Sequence, residues 1–275
     1  LRNKNKQGLL RGKRLNYNAG IQVWYNNSLQ KLIRKMTAET KKELTKLFKR
    51  IPVKSFATDE SISSQARILM NELTKTFASL FALESQTLPK YMLERTVKAS
   101  SAGVQSSLQE LAKGITIKTS TVTPELTDAV TASIAENVSL IKSIPAQYFK
   151  DVTGAVMRSI TSGQGMYDLL PEIEKYAKTT ARRAELLALD QTRKAYTTVS
   201  VVKLNKAGVT KFQWLHSGGG REPRESHLKI DGDIFTFANV EEEQAKLGVP
   251  KQDRGLPGYP VNCRCVLLAV EEYEE

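Results

Sequence analysis

Between Asn18 and Ile51 apolar side chains return at the spacing of an α-helix: Ile21, Trp24/Tyr25, Leu29, Leu32/Ile33, Met36, then Leu44, Leu47/Phe48 and Ile51. A stripe of this length, with Lys and Arg filling the opposite side, predicts one long amphipathic helix with a basic outer face. Pro52 marks its end. Asp59 is the expected N-cap of a second helix through SISSQARILMNELTKTFASLFAL, and Pro89 stands near the start of another that stops at Gly114. Thr123-Pro124-Glu125 combines a hydroxyl cap, a proline at the first helical position and an adjacent acid, and so opens the next. Helices continue through SIPAQYFKDVTGAVMRSITSG and MYDLLPEIEKYA to a last long one from about Thr179 to Lys206, closed by Gly208.

After Gly208 the texture changes. KFQW and NCRCVLLAV are short β-type runs, and the residues between them are crowded with Gly, Pro and charge. The chain therefore reads as mainly α, a long-helix N-terminal region followed by a small C-terminal α+β domain. The expected divisions are a basic N-terminal arm at 1–17, a helical domain at 18–184, and the α+β domain with an acidic tail at 185–275. With 275 residues it is long enough to bury a sizeable core. No uninterrupted apolar run approaches the roughly 20 residues that cross a bilayer, and LRNKNKQGLLRGKR lacks the apolar stretch of a secretory signal. The expectation is a soluble, non-secreted protein.

The net charge of +12 is unevenly placed. Residues 1–56 hold 15 Lys/Arg against two acids, while residues 57–275 hold 26 basic and 27 acidic residues, so the whole excess lies in the first fifth of the chain. Such a segment is drawn to a polyanion, and each phosphate it neutralises releases counterions. Arg2, Lys4, Lys6, Arg11, Lys13, Arg14, Lys31, Arg34, Lys35, Lys41 and Lys42 are the candidate nucleic-acid contacts. The competing reading is a solvated helix face behind a disordered arm.

Both histidines, His216 and His227, and both cysteines, Cys263 and Cys265, fall in the small C-terminal domain. That clustering points to a site and leaves its chemistry open. His216, His227, Cys263 and Cys265 would complete a Cys₂His₂ zinc set, with Asp231 or Asp233 as a substitute. Against this, Cys-x-Cys on a regular strand separates the thiols by roughly 6.6 Å, so the backbone would have to bend. The thiols could instead simply pack in a small core, since free cysteine is among the most buried residue types. A Cys263–Cys265 disulfide, a Cys–His nucleophile and a nuclease centred on His227 each have weaker support in the surrounding residues. In SGGGREPRESH, Arg221 and Arg224 are candidate phosphate contacts, although a hairpin loop is the default. Trp214, Phe235 and Phe237 read as core.

The order ELLALDQTRKAY, GVTKFQW, REPRESHLKIDGDIFTF and PGYPVNCRC resembles the head morphogenesis domain of tailed phages, the family named after phage Mu protein F. The matching positions are Asp190, Gln191, Trp214, Arg224, His227, Gly232, Phe235, Pro257, Gly258, Cys263, Arg264 and Cys265. Leu189 stands where the family often has arginine, and Gly218–Gly220 where many members have an aspartate-containing turn. The resemblance implies a minor capsid protein of the virion, inside the procapsid and head. Its implied partners are the portal and/or major capsid proteins and the packaged double-stranded DNA, in a copy number the resemblance does not set. It implies a role in head assembly or viral genome ejection, host cytoplasm during assembly, no membrane partner, no catalytic activity and no required cofactor, zinc being the one candidate. The alternative is a metal-dependent nuclease or a toxin-associated DNA-binding protein. The toxin version is the weaker expectation, because little sequence follows Cys265.

Overall fold

The computed structural model describes residues 7–49, 60–111, 123–218 and 223–274. In chain order the elements are β1 (Gln7–Leu15), α1 (Ala19–Lys49), α2 (Glu60–Leu111), α3 (Pro124–Thr161), α4 (Met166–Lys206), β2 (Lys211–Leu215), α5 (Glu225–Lys229), β3 (Ile234–Thr236), α6 (Val240–Lys246), a 3₁₀ turn (Lys251–Asp253) and β4 (Val266–Glu274). The chain is mainly α, with long helices leading to a small α+β region, as the periodicity predicts. Among the described residues no helix is long and apolar enough to cross a membrane.

Two compact units form, and they interleave along the sequence. One holds Val23–Tyr91 and Ile134–Ala188; the other holds the described residues of Leu1–Gln22, Met92–Ser133 and Leu189–Glu275. The first unit is helical. Its buried residues Tyr25, Leu29, Ile33, Met36 and Leu44 are the predicted stripe of α1. Phe77 stacks on Phe149 at 6.0 Å between ring centroids, and the Tyr25 hydroxyl donates to Asn137 Oδ1 at 2.8 Å. A hydroxyl so deeply buried needs that acceptor, and burial pushes the Tyr25 phenol above its ordinary range.

Pro89 does not begin a helix; it lies inside α2, which runs through it without a break. Pro145 and Pro171 likewise lie within α3 and α4. An internal proline costs about 3 kcal/mol through a lost hydrogen bond and a ring clash. Burial on both sides outweighs that cost: Phe81 and Leu88 precede Pro89, and Met92 and Leu93 follow it, all buried.

The second unit is built on a four-stranded antiparallel sheet in the order β1-β4-β2-β3. Residues 7–15, part of the expected arm, form its edge strand, paired along β4 with an irregularity between Arg11 and Arg14. The strand's buried positions are Gly12 and Leu15, while Arg11, Lys13 and Arg14 stay exposed. Gly12 is required by its neighbour, since a Cβ there would lie 2.9 Å from the Ser107 carbonyl oxygen. Phe212, Trp214 and Phe235 fill the centre of this unit with Leu204, Leu267 and Ala269. Gly208, at φ +88°, closes α4 as predicted.

Candidate functional site

Within the sheet-bearing unit, one face of α4 decides where the segment before β4 sits. Asp190, Arg193, Thr197 and Thr198 follow each other at helical spacing, and each binds that segment. Asp190 Oδ1 accepts the Asn262 N–H at 2.7 Å, and Arg193 donates to the Cys263 carbonyl at 2.8 Å. The Thr197 hydroxyl donates to the Pro257 carbonyl at 2.7 Å, and that of Thr198 meets Tyr259 Oη at 2.8 Å. Arg193 is buried, and its second amino group donates to Tyr17 Oη at 2.6 Å while its guanidinium lies over the Tyr17 ring. Opposite α4, Gln244 of α6 holds the other end of the segment by accepting the Gly255 N–H at 2.8 Å and donating to the Gly255 carbonyl.

Held in this way, the segment turns sharply. The Cys263 N–H donates to the Pro260 carbonyl at 2.9 Å, and Asn262 adopts φ 58°. Cys263 and Cys265 therefore precede β4, which begins at Val266, instead of lying on a regular strand. This is the bend that the strand geometry lacked, and it brings both sulfurs to one point. Gly258 contributes φ +89° and donates its N–H to Cys263 Sγ at 3.4 Å. A Cβ on Gly258 would lie 3.4 Å from Arg193 Cβ and from Thr197 Oγ1. Gly258→Ala is therefore expected to destabilise this unit by about 1–2 kcal/mol, the cost of a left-handed non-glycine residue, with crowding adding to it. The check is a lower denaturant midpoint at unchanged slope.

The third member of the cluster comes from α5. His227 is buried, and its Nδ1 lies 3.7 Å from Cys263 Sγ and 3.6 Å from Cys265 Sγ. Its Nε2 lies 2.9 Å from the Asp253 carbonyl oxygen. A carbonyl only accepts, so this contact puts the ring proton on Nε2 and leaves the Nδ1 lone pair facing the two sulfurs. Asp253 is itself fixed: its carboxylate pairs with Arg224 at 2.9 Å and accepts the Ser226 hydroxyl at 2.8 Å. Arg224 also donates to the Val261 carbonyl at 2.6 Å. Trp214 packs edge-on against the imidazole with centroids 5.0 Å apart.

The electrostatics follow these contacts. The hydrogen bond with Cys265 holds the Cys263 thiol well below its usual range; burial opposes this, and His227 and the Gly258 N–H add to it. The same bond pushes Cys265 up, with burial acting in the same direction. Burial disfavours the His227 imidazolium, but its contacts with Cys263 and the Asp253 carbonyl outweigh this and raise it.

The other predicted site residues are placed apart from the cluster. His216 is outside it: its Nδ1 accepts the Gly218 N–H at 3.1 Å, and its own N–H donates to Asp231 Oδ1 at 2.8 Å. Arg11, Lys13 and Arg14 are exposed on β1, and Lys31, Arg34 and Lys35 are exposed on α1. Lys41 and Lys42 are exposed too, but Glu174 and Glu39 lie 3.2 and 3.1 Å from their ammonium groups. Arg2, Lys4, Lys6 and Arg221 lie outside the described residues. Sequence reasoning missed Arg193, Asp253, Tyr17 and Gln244. For Arg193 a signal exists: it belongs to the buried polar run Gln191-Thr192-Arg193 in a helix otherwise read by its apolar stripe.

A helical face clamping a Pro-Gly turn, with a Cys-x-Cys pair closed over a histidine beneath a small antiparallel sheet, defines a compact module whose polar core is built for position. Residues 150–268 match the family described as Phage Mu protein F like protein, in agreement with the resemblance carried by the sequence. An uncharacterized protein of Haemophilus influenzae (strain Rd) is 31% identical over 258 residues. That alignment takes in 92% of this chain and 54% of the relative, so the chain spans about half of the relative's length. No solved structure matches the chain.

Proposed function

We propose that the protein is a minor component of a tailed-phage head, located inside the procapsid and virion, where it contacts the portal and/or major capsid proteins and the packaged DNA and assists assembly or genome delivery. The observation that carries this reading is the family match over residues 150–268, supported by the residues that shape the module. Asp190, Trp214, Arg224, His227, Gly258, Cys263 and Cys265 each make a contact that positions the segment before β4. The cations of β1 and α1 supply the surface for DNA, since exposed Lys and Arg without close acids attract phosphate most strongly.

The reading assigns no catalysis to the module. Cys263 and His227 are both buried, which favours a positioning role for the pair. The test is to purify heads from induced cells before and after DNA packaging and to identify their proteins by mass spectrometry. The chain is expected in both particles at low, fixed stoichiometry to the portal. Its absence from both overturns the reading.

A further inference from the structure

The geometry points to a zinc-binding site formed by His227 Nδ1, Cys263 Sγ and Cys265 Sγ, in which the metal ties α5 to the turn before β4. The inference is independent of the role in the phage head. All three donor atoms lie within 4.8 Å of one another, and the nitrogen–sulfur separations are 3.7 and 3.6 Å. Tetrahedral zinc with its usual bond lengths to sulfur and nitrogen has ligand edges of about 3.6 Å for N···S and about 3.8 Å for S···S. The nitrogen–sulfur edges of the cluster match the first of these values.

Hydrogen bonding alone leaves the two sulfurs unequal, one on the ring and one on its neighbour. Nδ1 offers one lone pair, yet two thiols approach it at nearly equal distance, so only one S–H can use the ring and the other turns to the neighbouring sulfur. A cation satisfies the lone pair and both sulfurs together. The surroundings are those of a metal–thiolate group. The imidazole is oriented by its Nε2–H on the Asp253 carbonyl, the usual means of fixing a metal-binding histidine. The Gly258 N–H points at Cys263 Sγ, and the Ser217 N–H and the Trp214 indole face Cys265. The indole nitrogen is buried and has no hydrogen-bond partner of ordinary geometry, so a thiolate beside it offers the acceptor it lacks. Two sulfurs and one imidazole select a soft or borderline divalent ion over magnesium or calcium. The set differs from the four-residue site expected from the sequence, because His216 takes no part.

The test uses the full chain, purified without a histidine tag. Elemental analysis is expected to find about one zinc per chain. Cobalt added to chelator-treated protein should give a thiolate-to-cobalt charge-transfer band in the near ultraviolet and the visible bands of tetrahedral cobalt. In Cys263→Ser/Cys265→Ser both signals should fall to background. The cobalt titration of the unaltered chain needs no variant to fold. A chain that carries no zinc as purified and gives no cobalt bands overturns the inference, as does metal binding that survives in the double variant.

Discussion

Trp214→Ala is expected to lower the stability of the sheet-bearing unit by about 3–5 kcal/mol, the range for truncating a fully buried aromatic ring. Trp214 is fully buried in β2, where it lies opposite Leu267 of β4. Its ring meets His227 at 5.0 Å and Phe235 at 6.5 Å between centroids. Removing it opens a cavity in the core cluster that also holds Phe212, Phe235, Cys263, Cys265 and Leu267. The aromatic pairings with the imidazole and with Phe235 disappear along with the ring. Far-UV circular dichroism of the full chain in urea measures the effect. The transition should split or shift to lower denaturant, because the helical unit has its own core and does not contain this residue. Trp214→Phe should recover most of the stability. A midpoint equal to that of the parent would contradict the packing described.

Charge reversal on α1 should have the next largest effect. Deleting residues 1–57 is a poor experiment, since it removes the edge strand β1 and, with α1, the buried residues Tyr25, Leu29 and Met36. Lys31→Glu, Arg34→Glu and Lys35→Glu alter exposed side chains. The logarithm of DNA affinity against the logarithm of salt should become shallower by about 0.9 for each phosphate that is no longer neutralised, so by about 3 for the triple variant. Arg11→Glu, Lys13→Glu and Arg14→Glu on β1 should act in the same way. Lys41→Glu and Lys42→Glu should matter less, because Glu174 and Glu39 already neutralise those ammonium groups. Filter or gel-retention titrations over a salt series decide it. An unchanged slope in both triple variants removes DNA from the set of partners.

Much of the fold was legible in the chain. The stripe from Ile21 to Phe48 is buried as its spacing requires, Thr123-Pro124-Glu125 opens α3, and Gly208 closes α4. These features depend on neighbours within about one helical turn, so local chemistry suffices to read them. Pro89 was misleading for the same reason: its local cost is real, but the burial of Phe81 and Met92 is settled by distant helices. Residues 7–15 read as an arm because a strand with three cations and two glycines shows no period of its own. Only its partner β4 makes it a strand.

The candidate site divides along the same line. The residue types and the family pattern named His227, Cys263 and Cys265, because two histidines and two cysteines in one small domain are a compositional fact. The distance between the thiols was not legible. It depends on Asn262 at φ 58°, on Asp190 and Arg193 reaching across from α4, and on Gly258 allowing close approach. By itself, then, the sequence determined most of the helical stretches, the uneven charge and the four residues from which the cluster is drawn, since each follows from local spacing or from composition. The tertiary structure alone decided that β1 completes the sheet, that His216 stands apart, and that the two sulfurs and one imidazole nitrogen converge. Those outcomes come from contacts between residues tens of positions apart, which no local pattern encodes.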